Sequence, residues 1–429
     1  MRHGNERNDG VMSADFIKFW IGQTVSNLGS SITMLAFPIL VYARTDSALA
    51  LSLMSVANLL PFPLFGLIVG AWVDRVDRKT LMIWTDIARA AIVVTIPVLA
   101  WADSLPLAWI YAVGFLSSTL TIAFNSAEFA AIPSLVARDH LVTANGRIQA
   151  SYAAATVIGP ILAGGLAGVI SIETVIFLDA LSYAVSALSL ALVVRTFNVE
   201  AHSGQTSIRA DIVEGLRYVF SHPVLRAISL MMMIINFIGT SFNDQLVLFA
   251  ERRLDAGESR VGLLYSAASV GVIVLSLLAG KLRERWPFSI VALGALVAHG
   301  ALIAVFALNA SYPLALPLIA AITGLGVMFN INTGSLRQSI VPSHLLGRVM
   351  SVAMVMAMSI SPLGSLIGGL AIESTGNVEI VYAGIGLLMV VTALGFSLTA
   401  LGKAERYLPG GDLEAPPSTT TSASATTTA

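Results

Sequence analysis

Few charged side chains interrupt the apolar stretches of this chain, and their spacing limits the chemistry open to them. Asp86 and Arg89 stand three residues apart, which puts both on one face of a helix and lets them form an ion pair. Glu128, Asp179 and Asp244 lie singly in long apolar runs, where an acid can take up and release a proton but has no partner for nucleophilic or metal chemistry. Amides and hydroxyls recur at helical spacing around them. One set is Gln23, Asn27, Ser30 and Ser31; a second is Ser118, Thr121 and Asn125 with Glu128. A third is Asn236, Thr240 and Asn243 with Asp244, and a fourth is Asn330 and Thr333 with Arg337. A polar face is costly in hydrocarbon unless it meets water, a ligand or another polar face. Gln23, Asn27, Thr121, Asn125, Asn236, Asn243 and Asn330 are therefore expected to line a central cavity, with helix-to-helix hydrogen bonding as the alternative. His299 reads as a packed, inert side chain.

The elements that position these residues are membrane helices. The chain is 56% hydrophobic and 11% charged, with a mean hydropathy of +0.82, whereas soluble globular proteins carry about 25% charged residues. A net charge of -1 leaves no basic face for nucleic acid. There is no cysteine, and no Walker loop, H-E-x-x-H or G-x-S-x-G, so no enzyme, metal site or cofactor is expected. The polar start up to Asp15 runs into an apolar segment too long for a signal-peptide core and is expected to be retained.

Twelve stretches reach the roughly 20 apolar residues that a crossing requires. They lie near 16–42, 48–72, 80–101, 106–128, 143–168, 172–194, 225–250, 260–280, 288–309, 313–335, 346–371 and 379–401. With a cytoplasmic N-terminus, all but four of the 24 Lys and Arg fall inside or at the inner edge, the exceptions being Arg44, Arg252, Arg253 and Arg260. That orientation is expected, with both termini cytoplasmic. The chain also repeats itself at an offset of roughly 200–210 residues: GPILAGG at Gly159 returns as SPLGSLIGG at Ser361, and Asn145-Gly146-Arg147 as Gly347-Arg348. Two six-helix halves related this way form the layout in which a central site is reached alternately from each side. The expected division is a first bundle over 1–194, a linker over 195–224, a second bundle over 225–402 and a disordered tail over 403–429. In the linker Ile208, Ile212, Leu216 and Val219 share one face, the pattern of a helix lying on the membrane surface.

Between the second and third spans the chain reads GAWVDRVDRK, Gly70 to Lys79. This turn resembles the signature G-x-L-A-D-R-x-G-R-K of the major facilitator superfamily, with Gly70, Asp74, Arg75, Arg78 and Lys79 on the pattern and Asp77 in a glycine place. EGLRYVFSHPVLR, Glu214 to Arg226, resembles the central segment of the drug:proton antiporter branch that includes macrolide efflux proteins and the enterobactin exporter. Gly159, Pro160, Ala163 and Gly164 resemble the antiporter motif G-P-x-x-G-G of the fifth helix, where small residues let backbones approach.

The resemblance implies an all-α membrane fold of twelve helices in two pseudo-symmetric bundles. It implies a monomer in the plasma membrane that exports a lipophilic small molecule in exchange for protons. It also implies that Asp74 meets the end of the eleventh helix when the cytoplasmic side is closed. Glu128 and Asp244, on central helices, are the preferred proton carriers; Asp179 lies deeper, about 10 Å below the outer edge at 1.5 Å per residue, but on a helix that is peripheral in that fold. Asp86 and Arg89 are expected to form a structural pair beside the signature turn. The alternatives are a siderophore exporter, an importer or facilitator of the same fold, and a transport-inactive receptor or scaffold.

Overall fold

The computed structural model describes residues 13–73, 76–136, 141–167, 169–197, 208–342 and 345–407. Every regular element among them is helical. The first half holds α1 (Ala14–Thr45), α2 (Ala48–Leu59), α3 (Pro61–Val73), α4 (Arg78–Val93), α5 (Thr95–Trp101), α6 (Leu107–Leu135), α7 (Leu141–Ala167) and α8 (Ile172–Ala191). The linker carries α9 (Ile208–Ser221). The second half holds α10 (Pro223–Asp244), α11 (Leu246–Leu254), α12 (Glu258–Arg285), α13 (Gly294–Leu308), α14 (Tyr312–Ile340), α15 (Leu346–Ser359), α16 (Ser361–Thr375) and α17 (Val378–Ser397). A π-helical turn, Ser289–Leu293, leads into α13, and a 3-10 segment, Ala400–Tyr407, follows α17.

Several crossings are bent by residues that cannot continue a regular hydrogen-bond ladder. The second crossing breaks between α2 and α3 at Pro61, and the eleventh between α15 and α16 just before Pro362; proline lacks the N–H and its ring crowds the preceding turn. Among the described residues, eleven helical runs are long and apolar enough to cross a membrane. The remaining crossing is α7, whose 27 residues span about 40 Å at 1.5 Å per residue.

The two halves repeat one packing scheme. First packs on fifth (α1 on α7, α10 on α16), third on sixth (α4 on α8, α13 on α17) and second on fourth (α2 and α3 on α6, α12 on α14). The face that bears α9 is called the linker face below, and the opposite one the far face. Across the halves, α2 lies along α16 and α7 along α12, whereas α3 and α15, the linker-face parts of the same two crossings, meet over a much shorter stretch. Among the described residues, the two halves are therefore closed together at the far face and joined less extensively at the linker face.

Three local expectations change. Asp77 needs no glycine-like backbone: its φ is -66° and its Oδ1 accepts from Thr80 N at 2.7 Å, capping α4. Helix α9 has protein against the Leu216 and Val219 part of its apolar face. It packs on α15, with Val219 buried against Leu345, Val349 and Val352 and Glu214 paired with Arg348. Ordered chain also continues past 402: Leu401 and Ala404 are buried, and Glu405 accepts from Ser289 N at 2.9 Å, holding the 3-10 segment to the start of the ninth crossing.

Candidate functional site

A cavity of about 300 Å³ lies inside the C-terminal bundle, between α10, α12, α13, α14 and α17. It brings together three of the expected cavity residues, Asn236, Asn243 and Asn330, with Thr240 beside them. Asn236 is 13 residues into α10, about 20 Å from the linker face at 1.5 Å per residue, so the cavity sits at mid-membrane depth. Asn236 Nδ2 donates to Met232 O at 2.8 Å, which leaves its Oδ1 free as an acceptor. Asn243 and Asn330 are exposed, and their amides remain available to a ligand. Met232, Phe242, Phe329 and Met389 supply the apolar walls. Among the described residues, no Asp, Glu, Lys or Arg lines the space.

His299 was not anticipated here. Its Nδ1 lies 2.7 Å from Ile322 O, a carbonyl that can only accept, so Nδ1 carries the proton and the opposite nitrogen of this cavity-lining ring is an acceptor. The missed signal is local: His299 shares the depth of the Asn236 and Asn330 stripes, but a single polar residue on an apolar helix does not reveal which way it faces.

The N-terminal residues are arranged differently. Gln23 is buried and donates from Nε2 to Ser186 Oγ on α8 at 3.0 Å, and Ser30 shares a 2.9 Å hydrogen bond with Tyr183 Oη. These two stripe residues follow the helix-to-helix alternative, not the cavity reading. Thr121 accepts from Arg89 Nη1 at 3.4 Å, Asn27 is half-buried beside Tyr152, and Asn125 is exposed on α6.

Asp86 and Arg89 pair as their spacing requires, at 0% and 4% exposure. The guanidinium also lies 4.5 Å from the Phe124 ring centroid and 4.4 Å from that of Tyr183, positions in which a desolvated cation gains from both rings. Glu128 Oε2 accepts from Tyr152 Oη at 3.0 Å, and Asp179 Oδ1 from Ser182 Oγ at 3.1 Å.

Asp244 is not in the cavity. It ends α10 inside the far-face closure, where Ser365 Oγ of α16 donates to it. Its neighbour Gln245 donates from Nε2 to Ala48 O and Ser52 Oγ of α2, both at 2.8 Å. At the rim Arg252 Nη2 reaches Asp46 Oδ1 at 3.2 Å and Asp46 O at 2.6 Å. The Tyr42 hydroxyl, then Arg252, hold the Asp46 carboxyl below its ordinary value. Asp46 and Arg252 stand 206 residues apart, inside the offset of the internal repeat, so opposite charges at matching places in the two halves were the available signal. Gly164 completes the closure: a Cβ there would lie 2.2 Å from Gly262 Cα of α12. Gly159 serves α1 in the same way, since its Cβ would lie 2.4 Å from Ser31 Cβ, and Pro160 follows it inside α7.

Of the signature turn, Gly70 lies in α3, while Asp74 and Arg75 lie outside the described residues, as does His344, where the eleventh helix was expected to begin. Arg78 Nη1 donates to Phe197 O at 3.4 Å and Lys79 Nζ to Val193 O at 2.5 Å, tying the start of α4 to the chain that follows α8.

Residues 11–418 match the family described as transmembrane secretion effector. Macrolide efflux protein A of Streptococcus pyogenes is 24% identical over 365 residues, covering 84% of this chain and 90% of that protein. The multidrug efflux pump Tap of Mycolicibacterium fortuitum is 27% identical over 398 residues, covering 89% of this chain and 92% of the pump. The fold is similar to that of the nucleoside transporter NupG, with a TM-score of 0.70 at 12% identity, over 91% of this chain and 100% of that one. With the family match running almost end to end over two bundles of one repeated design, the chain belongs to the transmembrane secretion effector family of major facilitator superfamily transporters.

Proposed function

We propose that this transporter exports lipophilic or amphipathic small molecules from the cytoplasm in exchange for protons, with the linker face cytoplasmic and the bundles over 1–194 and 225–402 rocking about the linker. The observation that carries the reading is the cavity itself: amides, two hydroxyls and an imidazole on apolar walls, with no charged side chain among the described residues that line it, below a closed far face. Such a lining suits weakly polar ligands held by a few hydrogen bonds, and 300 Å³ sits at the lower end of the range for small-molecule sites, about 300–1,000 Å³. The drug-efflux relatives support the direction of transport. A potential of about 100 mV is worth about 2.3 kcal/mol per charge, so one proton sustains a gradient of roughly fiftyfold in a neutral substrate. The basic residues gathered on the linker face support its placement in the cytoplasm of a plasma-membrane protein, and the chain is proposed to act as a monomer.

The test is accumulation of labelled macrolides and other lipophilic drugs in cells with and without the protein. Expression lowers accumulation, and a protonophore restores it. Raised accumulation on expression would identify an importer, and an export insensitive to protonophore across a broad panel would remove proton antiport.

A further inference from the structure

We propose that Arg89 is the shared counter-charge of a proton-binding site formed by Asp86, Glu128 and Asp179 inside the N-terminal bundle. The proposal rests on the proton-antiport reading and assigns its two tasks to different halves, substrate to the C-terminal cavity and protons to the N-terminal core.

The starting point is a mismatch of charge. Arg89 donates to Asp86, and its guanidinium lies against Phe124, one turn before Glu128 on α6, and against Tyr183, one turn after Asp179 on α8. One guanidinium balances one carboxylate, so the other two carboxyls are electroneutral only as acids. Among the described residues, no hydrogen bond or ion pair brings a second cation to these carboxyls. Helix α1 offers only amides and hydroxyls between Lys18 and Tyr42, α6 contributes Glu128, α7 Tyr152, and α8 Asp179 and Tyr183. A pair serving structure alone would need one acid.

The second observation is that the cluster is unsaturated. Each carboxyl spends one oxygen, Asp86 Oδ1 on Arg89, Glu128 Oε2 on Tyr152 and Asp179 Oδ1 on Ser182. The other oxygens, Asp86 Oδ2, Glu128 Oε1 and Asp179 Oδ2, are buried without a hydrogen bond of normal geometry, and so is Arg89 Nε. Buried polar atoms are rarely left so, because each forfeits its hydration. Three oxygens and one donor without such a bond, on side chains of three neighbouring helices, leave room for the guanidinium to exchange partners while protons redistribute. The rings of Phe124 and Tyr183 both lie against the guanidinium and guide such an exchange between α4, α6 and α8.

The test needs no transported substrate. In purified protein, infrared titration follows the carbonyl stretch of protonated carboxyls, and the pH dependence of thiol labelling in a Ser52→Cys variant follows far-face opening. Glu128→Gln and Asp179→Asn each remove intensity from the protonated-carboxyl band. The double variant Asp86→Asn/Arg89→Gln keeps the pair uncharged. In it the band persists to higher pH, because Glu128 and Asp179 have lost their cation, and the pH dependence of labelling falls at least tenfold. Arg89→Lys, which retains the charge, restores it in part. If the double variant behaves as the wild type in both measurements, Asp86 and Arg89 are a structural pair and the proposal is wrong. Should the double variant fail to insert, the single substitutions decide, since a band untouched by both overturns the site. Loss of protonophore sensitivity in export with the band intact would strike the antiport reading and leave the site standing.

Discussion

Replacing Gly164 by alanine tests the closed far face most directly. The added methyl would stand 2.2 Å from Gly262 Cα, and ordinary contact begins near 3.4 Å, so α7 and α12 must part by 3.4 − 2.2 = 1.2 Å at this crossing. The neighbour is backbone, which cannot rotate away. Overfilling a packed contact costs about 1–3 kcal/mol. On the proposed rocking of the bundles, in which the two helices separate as the far face opens, that cost falls on the far-closed state and shifts the balance between the states by a factor of about 5 to 150. Ser52, fully buried beside Gln245 in the closure, is a suitable reporter as Ser52→Cys, and the chain has no cysteine of its own to obscure the signal. An impermeant maleimide applied from the far side labels Gly164→Ala/Ser52→Cys faster than Ser52→Cys alone by that factor. Equal rates at equal membrane insertion would refute the idea that the Gly164–Gly262 contact belongs to one state only.

Within the cavity, Asn236→Leu and Asn330→Leu each remove a polar contact worth about 1 kcal/mol. Each is expected to raise the macrolide concentration for half-maximal export about fivefold, and the pair to do so about twenty-fivefold, measured in inverted vesicles. Asp74→Asn is expected to abolish or strongly impair export while membrane insertion, followed by surface labelling, stays normal. Burial pushes the His222 imidazole below its ordinary value, and its Nδ1 accepts from Leu225 N at 3.4 Å to cap α10. With the folded value lowered, the stabilisation is present above about pH 6.5 and is lost as pH falls through the lowered value. His222→Asn, which can cap without titrating, should remove that part of the acid sensitivity in thermal unfolding measured from pH 5 to 8.

The number of crossings, their order and the repeat between halves were legible in the sequence because hydropathy and helical period are local properties. A run of about 20 apolar residues must be a helix in a bilayer wherever it ends up, since its backbone can be satisfied only within itself. The Asp86–Arg89 pair was legible for the same reason, its i, i+3 spacing being a fact about one helix. What a polar face meets is not local. Gln23 and Asn236 carry the same kind of amide on the same kind of stripe, yet α8 runs close enough to α1 to take up the first and the C-terminal bundle leaves a cavity in front of the second. Asp244 read as a carrier on a central helix and lies in the seal with Ser365, because the bend at Gln245 carries the end of α10 against α2 and α16. The Asp46–Arg252 contact and the Gly164–Gly262 crossing join residues of different halves, and neither follows from the pattern of a single helix. Period and composition determine which helices form and which of their faces are polar; only the packing of one bundle against the other decides which of those faces become a cavity, a seal or a buried store of charge.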